Sequence, residues 1–240
     1  KVRVTVEQPY KRRWKTKAED ILVKSEERVD AKCPHFGRCG GCVWQHWSYE
    51  GQLKEKTNFV KHVLQAQGFD PELVKDTIGM NEPWKYRNKM EFAFAKDGSL
   101  GLHEQGNFKN IIPLETCLIA APEMKDAALE VAHWVKAYNL PGYDKLNHEG
   151  LLRHLMVRQS FATNEMMLAI FATKSPYDVA GIDDLVQRVK ERFPQVKSLL
   201  WLENRDWADR TQAEETHILH GRDFIYDELL GYKYRLWFDT

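Results

Sequence analysis

The chain has 240 residues, 43% of them hydrophobic and 29% charged, and its 35 Lys/Arg balance 35 Asp/Glu for zero net charge. That length carries one sizeable core, or a main domain plus a smaller piece. The composition predicts no membrane span, secretory leader or disulfide scaffold: no apolar run approaches the roughly eighteen residues a span needs, no apolar segment follows the basic start, and four cysteines are sparse.

Reduced thiols and the lack of an anchor predict a cytoplasmic protein with no membrane partner. The zero charge is uneven. Residues 1–62 hold 14 Lys/Arg against 8 Asp/Glu, and residues 203–240 hold 5 against 9. A basic first quarter fits a polyanionic partner or a solvated face.

Val2–Val6 and Ile21–Val23 read as short strands around a basic loop, Tyr10–Lys17, as at the end of a small β-barrel. Cys33–Cys42 holds Pro34, Gly37, Gly40 and Gly41 and reads as a loop. Ser48 caps a predicted helix that runs to about Gln67 and stops at Gly68. Its apolar stripe is Tyr49, Leu53, Val60, Val63 and Leu64. "KMEFAFAKDGSLGLHEQG" alternates and turns at Asp97-Gly98. "NIIPLETC" is extended, and Pro122 opens a helix to about Tyr138. "LLRHLMVRQSF" and "EMMLAIFAT" pair through a turn near Thr163-Asn164. Ser175-Pro176 starts a helix reaching Phe193, and "VKSLLWLEN" and two more strands follow. Strand pairs punctuated by single helices predict an α+β chain. Its start without Met and its stop just after the strand-like run Tyr232–Phe238 read as those of a fragment.

The cysteines carry the chemistry. Cys33-x5-Cys39-x2-Cys42 places three thiols on one Gly-rich turn, and Cys117 follows 75 residues after Cys42. Four thiolates fit a 4Fe–4S cube or a tetrahedral zinc. Zinc is usually held by two close pairs, so a triplet plus a singleton favours the cube. Four unrelated buried thiols, or a redox pair at Cys39 and Cys42 that leaves Cys33 unused, remain alternatives.

"CPHFGRCGGCVWQHWSYEGQLKEK" resembles the cluster signature of the bacterial RNA uracil-5-methyltransferases that act on ribosomal or transfer RNA. Gln45-His46, Tyr49, Gln52, Leu53 and Lys56 stand at its motif positions, and "YRNKMEFAF", "GLLRHLMVR" and "LHGRDFIYDELLGYKYRL" extend the likeness over nearly the whole chain. The resemblance implies a 4Fe–4S cluster on Cys33, Cys39, Cys42 and Cys117. It also implies a domain plan. Residues 1–30 would be the C-terminal part of an OB-like, TRAM-type RNA-binding barrel, and residues 31–75 the cluster loop plus helix. Residues 76–230 would form a central α+β domain that supplies Cys117, and residues 231–240 a lead-in to a doubly wound domain that binds S-adenosylmethionine and is absent.

In this family a thiolate adds to carbon 6 of uracil, because carbon 5 is too weak a nucleophile to take the methyl group unaided. All four cysteines fall on cluster positions, and no Gly-rich turn suits S-adenosylmethionine. Residues 1–240 alone are therefore expected to be inactive, with no catalytic residue among them. The expected partner is structured RNA, 23S rRNA before tRNA, gripped by a full-length monomer through Arg12, Arg13, Arg87, Lys89, Arg153 and Arg158, which lie among aromatics. His35 and His46 flank the loop, and Trp44 and Trp47 would shield it. Two other readings are a stand-alone RNA-binding iron–sulfur module and a zinc-stapled one.

Overall fold

The computed structural model describes residues 1–11, 13–207 and 211–240, and the side chains of Tyr10 and Arg13 lie outside that description. The chain divides into two compact units, residues 1–34 with 44–80 and residues 35–43 with 81–240.

The first unit opens with strands β1 (Val2–Tyr10) and β2 (Arg13–Ile21), paired antiparallel. Where the sequence suggests the last strands of a barrel, this unit holds a two-stranded hairpin, and the expected basic loop is largely β2 itself. Val2, Val4, Val6 and Ile21 are all exposed, so alternation here marks a strand without a buried face. Helix α1 (Tyr49–Ala66) begins at Ser48, whose Oγ accepts from Gly51 N–H at 3.1 Å, and ends before Gly68 at φ +83°. Of its apolar stripe, Tyr49, Leu53 and Leu64 are half-buried, while Val60 and Val63 face solvent.

In the second unit a seven-stranded sheet has the order β5-β4-β3-β6-β7-β8-β9. Its strands are β3 (Lys89–Phe94), β4 (Leu100–Glu104), β5 (Asn107–Pro113), β6 (Leu152–Gln159), β7 (Met166–Ala172), β8 (Val196–Glu203) and β9 (Glu215–Gly221). All neighbours are antiparallel except β7 and β8. That parallel pair needs a crossover, which α3 (Ile182–Arg192) supplies. Helix α2 (Pro122–Ala137) links β5 to β6.

Strand β7, "MMLAIFA", is buried throughout because both of its faces are covered. Met166, Leu168, Ile170 and Ala172 join the core beneath the helices, while Met167, Ala169 and Phe171 join a second core on the opposite face. That second core is closed by Ile225, Leu236 and Phe238, from the hairpin β10 (Ile225–Leu229) and β11 (Tyr232–Leu236) and the residue pair beyond it. The helix expected from Ser175 to Phe193 is broken: a 3-10 turn at Pro176–Asp178 ends, and α3 starts after Gly181 at φ +78°.

Asp144 fastens the loop between α2 and β6. It accepts from Lys96 Nζ at 2.9 Å, Leu146 N–H at 2.8 Å and Asn147 Nδ2 at 2.9 Å. The hydrogen bond from Lys96, then that from Leu146, holds its carboxyl down at about 2. A carboxyl depressed below its unfolded value, about 3.9, adds stability that is complete above that value and is lost as pH falls through the folded pKa. Thermal melts between pH 5 and pH 2 should therefore fall more steeply for the wild type than for Asp144→Asn; parallel curves would contradict this.

Candidate metal centre and nucleic-acid interface

The residues of the cysteine signature hold one another. In the first unit, Cys33 N–H donates to Gln45 Oε1 at 3.2 Å, and Gln52 Nε2 donates to the carbonyls of Trp44 and Trp47 at 3.1 and 3.0 Å. Tyr49 OH accepts from Met80 N–H at 2.8 Å, and Trp47 Nε1 donates to Glu27 Oε2 at 2.8 Å. Trp44 and Trp47 meet edge to face at 5.7 Å. Gly51 is required by close approach: a Cβ there would lie 2.3 Å from Trp47 Nε1. The motif polar groups thus build the seat from which the loop leaves.

In the second unit the loop is pinned to the end of β4. Gly40 N–H donates to His103 O at 2.9 Å and Gln105 N–H to Arg38 O at 2.7 Å, an antiparallel bridge centred on Cys39 and Glu104. Cys39 N–H bonds to His35 O at 2.8 Å, and Gly41 N–H points at Cys39 Sγ at 3.4 Å. Strand β5, which pairs with β4, leads four residues later to Cys117, packed at the margin of the helix-side core. Cys39 thus sits at the bridge to the end of β4 and Cys117 beyond the end of β5, both in the second unit with Cys42, while Cys33 belongs to the first unit. None of the four cysteines is in a disulfide, and all are half-buried. Half-buried thiols on a turn, one of them with an N–H aimed at its sulfur, suit metal–thiolate ligation, since such N–H groups stabilise negative sulfur. His35 Nε2, buried, lies 3.8 Å from Glu115 Oε2.

The expected RNA-contacting cations divide. Arg12 lies outside the described residues, and of Arg13 only the backbone, in β2, is described. Arg87 is exposed beside the sheet, its N–H bonded to Ile119 O at 2.8 Å. Lys89 is half-buried and pairs with Glu91 at 3.4 Å. Arg153 is 3% exposed, lies 4.2 Å over the Tyr143 ring, and donates to Asn204 Oδ1 and the carbonyls of Asn204 and Asp206, so it stitches loops. Arg158 donates to the carbonyls of Trp237 and Thr240 at 3.0 and 2.8 Å, and burial lowers its pKa against the pull of Asp227. These bonds tie it to the segment after β11.

That hairpin carries the surface the sequence did not announce. Tyr226 pairs across with Arg235 and Glu228 with Lys233, which puts the cations of β11 on the face that bears Phe224 and Tyr226. Lys233 Nζ sits 3.8 Å over Tyr226, Arg235 lies 5.0 Å over Phe224, and Arg222 lies between both rings at 4.9 and 4.8 Å. Trp237 packs on Phe224 at 6.0 Å. Arg222 is also paired to Glu165, while Lys233 and Arg235 are exposed. Cations laid over rings at a surface present both charge and stacking area.

Glu203, Glu215 and His217 offer ligand atoms within 4.8 Å of one another. Burial alone would raise the Glu203 pKa, but hydrogen bonds from His217 and Arg205 outweigh it and hold the carboxyl below its ordinary range. An arginine and a histidine already satisfy that buried charge, so the trio is an ion-pair network.

No protein-family model matches the chain. It is 34% identical over 247 residues to an uncharacterized RNA methyltransferase of Caldanaerobacter subterraneus subsp. tengcongensis, a match that covers 98% of this chain and 53% of the relative. It is 32% identical over 221 residues to another from Halalkalibacterium halodurans, covering 90% and 48%. The chain is homologous to RNA methyltransferases. It spans about half the length of the curated relatives it matches. Its fold follows that of the Pyrococcus abyssi tRNA (uracil-54, C5)-methyltransferase in complex with S-adenosyl-L-homocysteine, with a TM-score of 0.71 at 20% identity over 98% of this chain and 53% of that one.

The fold class is thereby corrected. The expectation was an α+β chain of partial OB-like barrel, cluster loop and central mixed sheet, set apart from a methyltransferase fold that was absent. Instead, 98% of the chain, including the mixed sheet, superposes on the fold of a methyltransferase, and the chain does not stand outside it. Nor do the comparisons support reading the chain as an inactive segment. Among the described residues no helix is long and apolar enough to cross a membrane.

Proposed function

We propose that this chain serves a cytoplasmic, S-adenosylmethionine-dependent RNA uracil-5-methyltransferase, to which it contributes RNA recognition and a 4Fe–4S cluster held by Cys33, Cys39, Cys42 and Cys117. The observation that carries the reading is the likeness to RNA methyltransferases over 98% of the chain. The pinned cysteine turn and the cation–aromatic hairpin add chemistry that suits it. S-adenosylmethionine supplies the methyl group, and no residue here is assigned to it. The chain's own work is to bind and orient. Lys233 and Arg235, held over Tyr226 and Phe224, neutralise phosphates while the exposed Trp237 offers stacking area to unpaired bases. Arg87 and Lys89 remain candidates for further phosphate contacts. The cluster, when bound, braces the loop against the strand that leads to Cys117 and takes no part in methyl transfer.

The test is transfer of a labelled methyl group from S-adenosylmethionine to carbon 5 of uridine by the intact protein, with ribosomal and transfer RNA offered in parallel. Label in 5-methyluridine from either RNA supports the reading and chooses the substrate. No label with both, or label on another base, overturns it.

A further inference from the structure

A cavity of about 670 Å³ opens in the second unit between the loop that precedes β6 and the segment after β8. Its size falls within the range of small-molecule sites, about 300–1,000 Å³. Its rim is aromatic. Trp207, 75% exposed, stacks on His148 with ring centroids 4.7 Å apart and planes 16° from parallel. His148 Nδ1 lies 3.1 Å from Tyr143 OH, and the Tyr143 ring carries Arg153. Arg153 in turn binds the carbonyls of Asn204 and Asp206, so both walls are stitched beneath the opening.

The wall is also held in shape. His148 sits at φ +58°, a left-handed conformation unfavourable for a residue with a side chain, and the Asp144 hydrogen bonds keep the loop there. An indole with one face on an imidazole and the other open to solvent is otherwise costly surface to leave uncovered. The remaining lining supplies both signs of charge: Lys174 and Arg205 are cations, Glu149 and Asp178 carboxylates. Arg205 is oriented by its ion pair with Glu203.

We infer that this cavity receives one unpaired, amino-bearing nucleobase of the RNA, stacked against Trp207, with its exocyclic amine donating to the Glu149 or Asp178 carboxylate and its flanking phosphates on Lys174 and Arg205. Stacking on an indole requires a planar π-face and tolerates any base. A carboxylate accepts well from the exocyclic amine of adenine or cytosine, as it does from cytosine in duplex recognition. Uracil has no amine, and its single N3–H lies between two carbonyl oxygens that repel the carboxylate, so uracil is disfavoured. The inference rests on the RNA methyltransferase reading.

The experiment measures binding of the intact protein to fluorescent RNA hairpins whose loops are all adenine or all uridine, and to a blunt duplex, each at two salt concentrations. The adenine loop should bind more tightly than the uridine loop or the duplex. Trp207→Ala should weaken adenine-loop binding by roughly five- to 100-fold with the salt slope unchanged, because no phosphate contact is removed. Trp207→Phe should restore most of it, and duplex binding should not change. Equal binding by wild type and Trp207→Ala, an equal loss on the duplex, or no preference for the adenine loop overturns the inference. If the wild type still methylates uridine under any of those outcomes, the function reading stands while the pocket falls. If it neither binds RNA nor transfers methyl, both fall.

Discussion

On the proposed ligand set, Cys117→Ser should abolish iron binding and lower stability by about 4 kcal/mol, on the scale of a covalent staple that closes a loop of this length. Serine nearly preserves shape, so packing loss is small, and what disappears is a soft thiolate donor. Cys117 follows β5, and β5 pairs with the same β4 whose end grips the Cys39 turn through the Gly40–His103 and Gln105–Arg38 bonds. The proposed cluster, joining 117 to 39 and 42, would close a long chain segment, and its binding free energy would be folding free energy. Thermal melts and iron assays on oxygen-free preparations would show the two losses together. A Cys117→Ser protein with wild-type iron and melting temperature would contradict the ligand assignment.

Trp134→Ala will cost about 3–5 kcal/mol by the usual scale for deleting a buried aromatic. Trp134 is fully buried on α2, and its Nε1 donates to Gly181 O at 2.7 Å. Truncation leaves a cavity between helix and sheet and strands that carbonyl, which adds about 1 kcal/mol or more. Typical total stabilities are about 5–15 kcal/mol, so the variant should be largely unfolded near body temperature. Trp134→Phe keeps most of the volume and should lose roughly 1–2 kcal/mol, chiefly the hydrogen bond. Urea titration separates the cases by midpoint. An alanine variant within 1 kcal/mol of wild type would mean that α2 does not anchor this core.

Much of this architecture was legible because local signals agreed with the tertiary outcome. Ser48 and Gly68 bracket α1, Pro122 opens α2, and the β6–β7 turn falls at Asn164 with φ +56°. The cysteine turn was legible through its spacing and glycines. Three things were not. Arg153 reads as a surface cation, since sequence does not reveal that Tyr143 and Asn204 fold around it. Gly181 looks like an interior helix residue until its positive φ ends the preceding turn. Lys233 and Arg235 alternate with tyrosines in "YKYRL" as any exposed strand might, and only the register with β10 places them over Tyr226 and Phe224. Cross-strand register is set by the turn and the pleat together, and neither is visible in one strand alone.

Metal analysis of wild-type protein purified without oxygen tests the candidate site most directly. The account predicts brown protein with about four irons and four inorganic sulfides per chain and broad absorbance near 400 nm. Colourless protein with one tightly held zinc, or with no metal under those conditions, would contradict it.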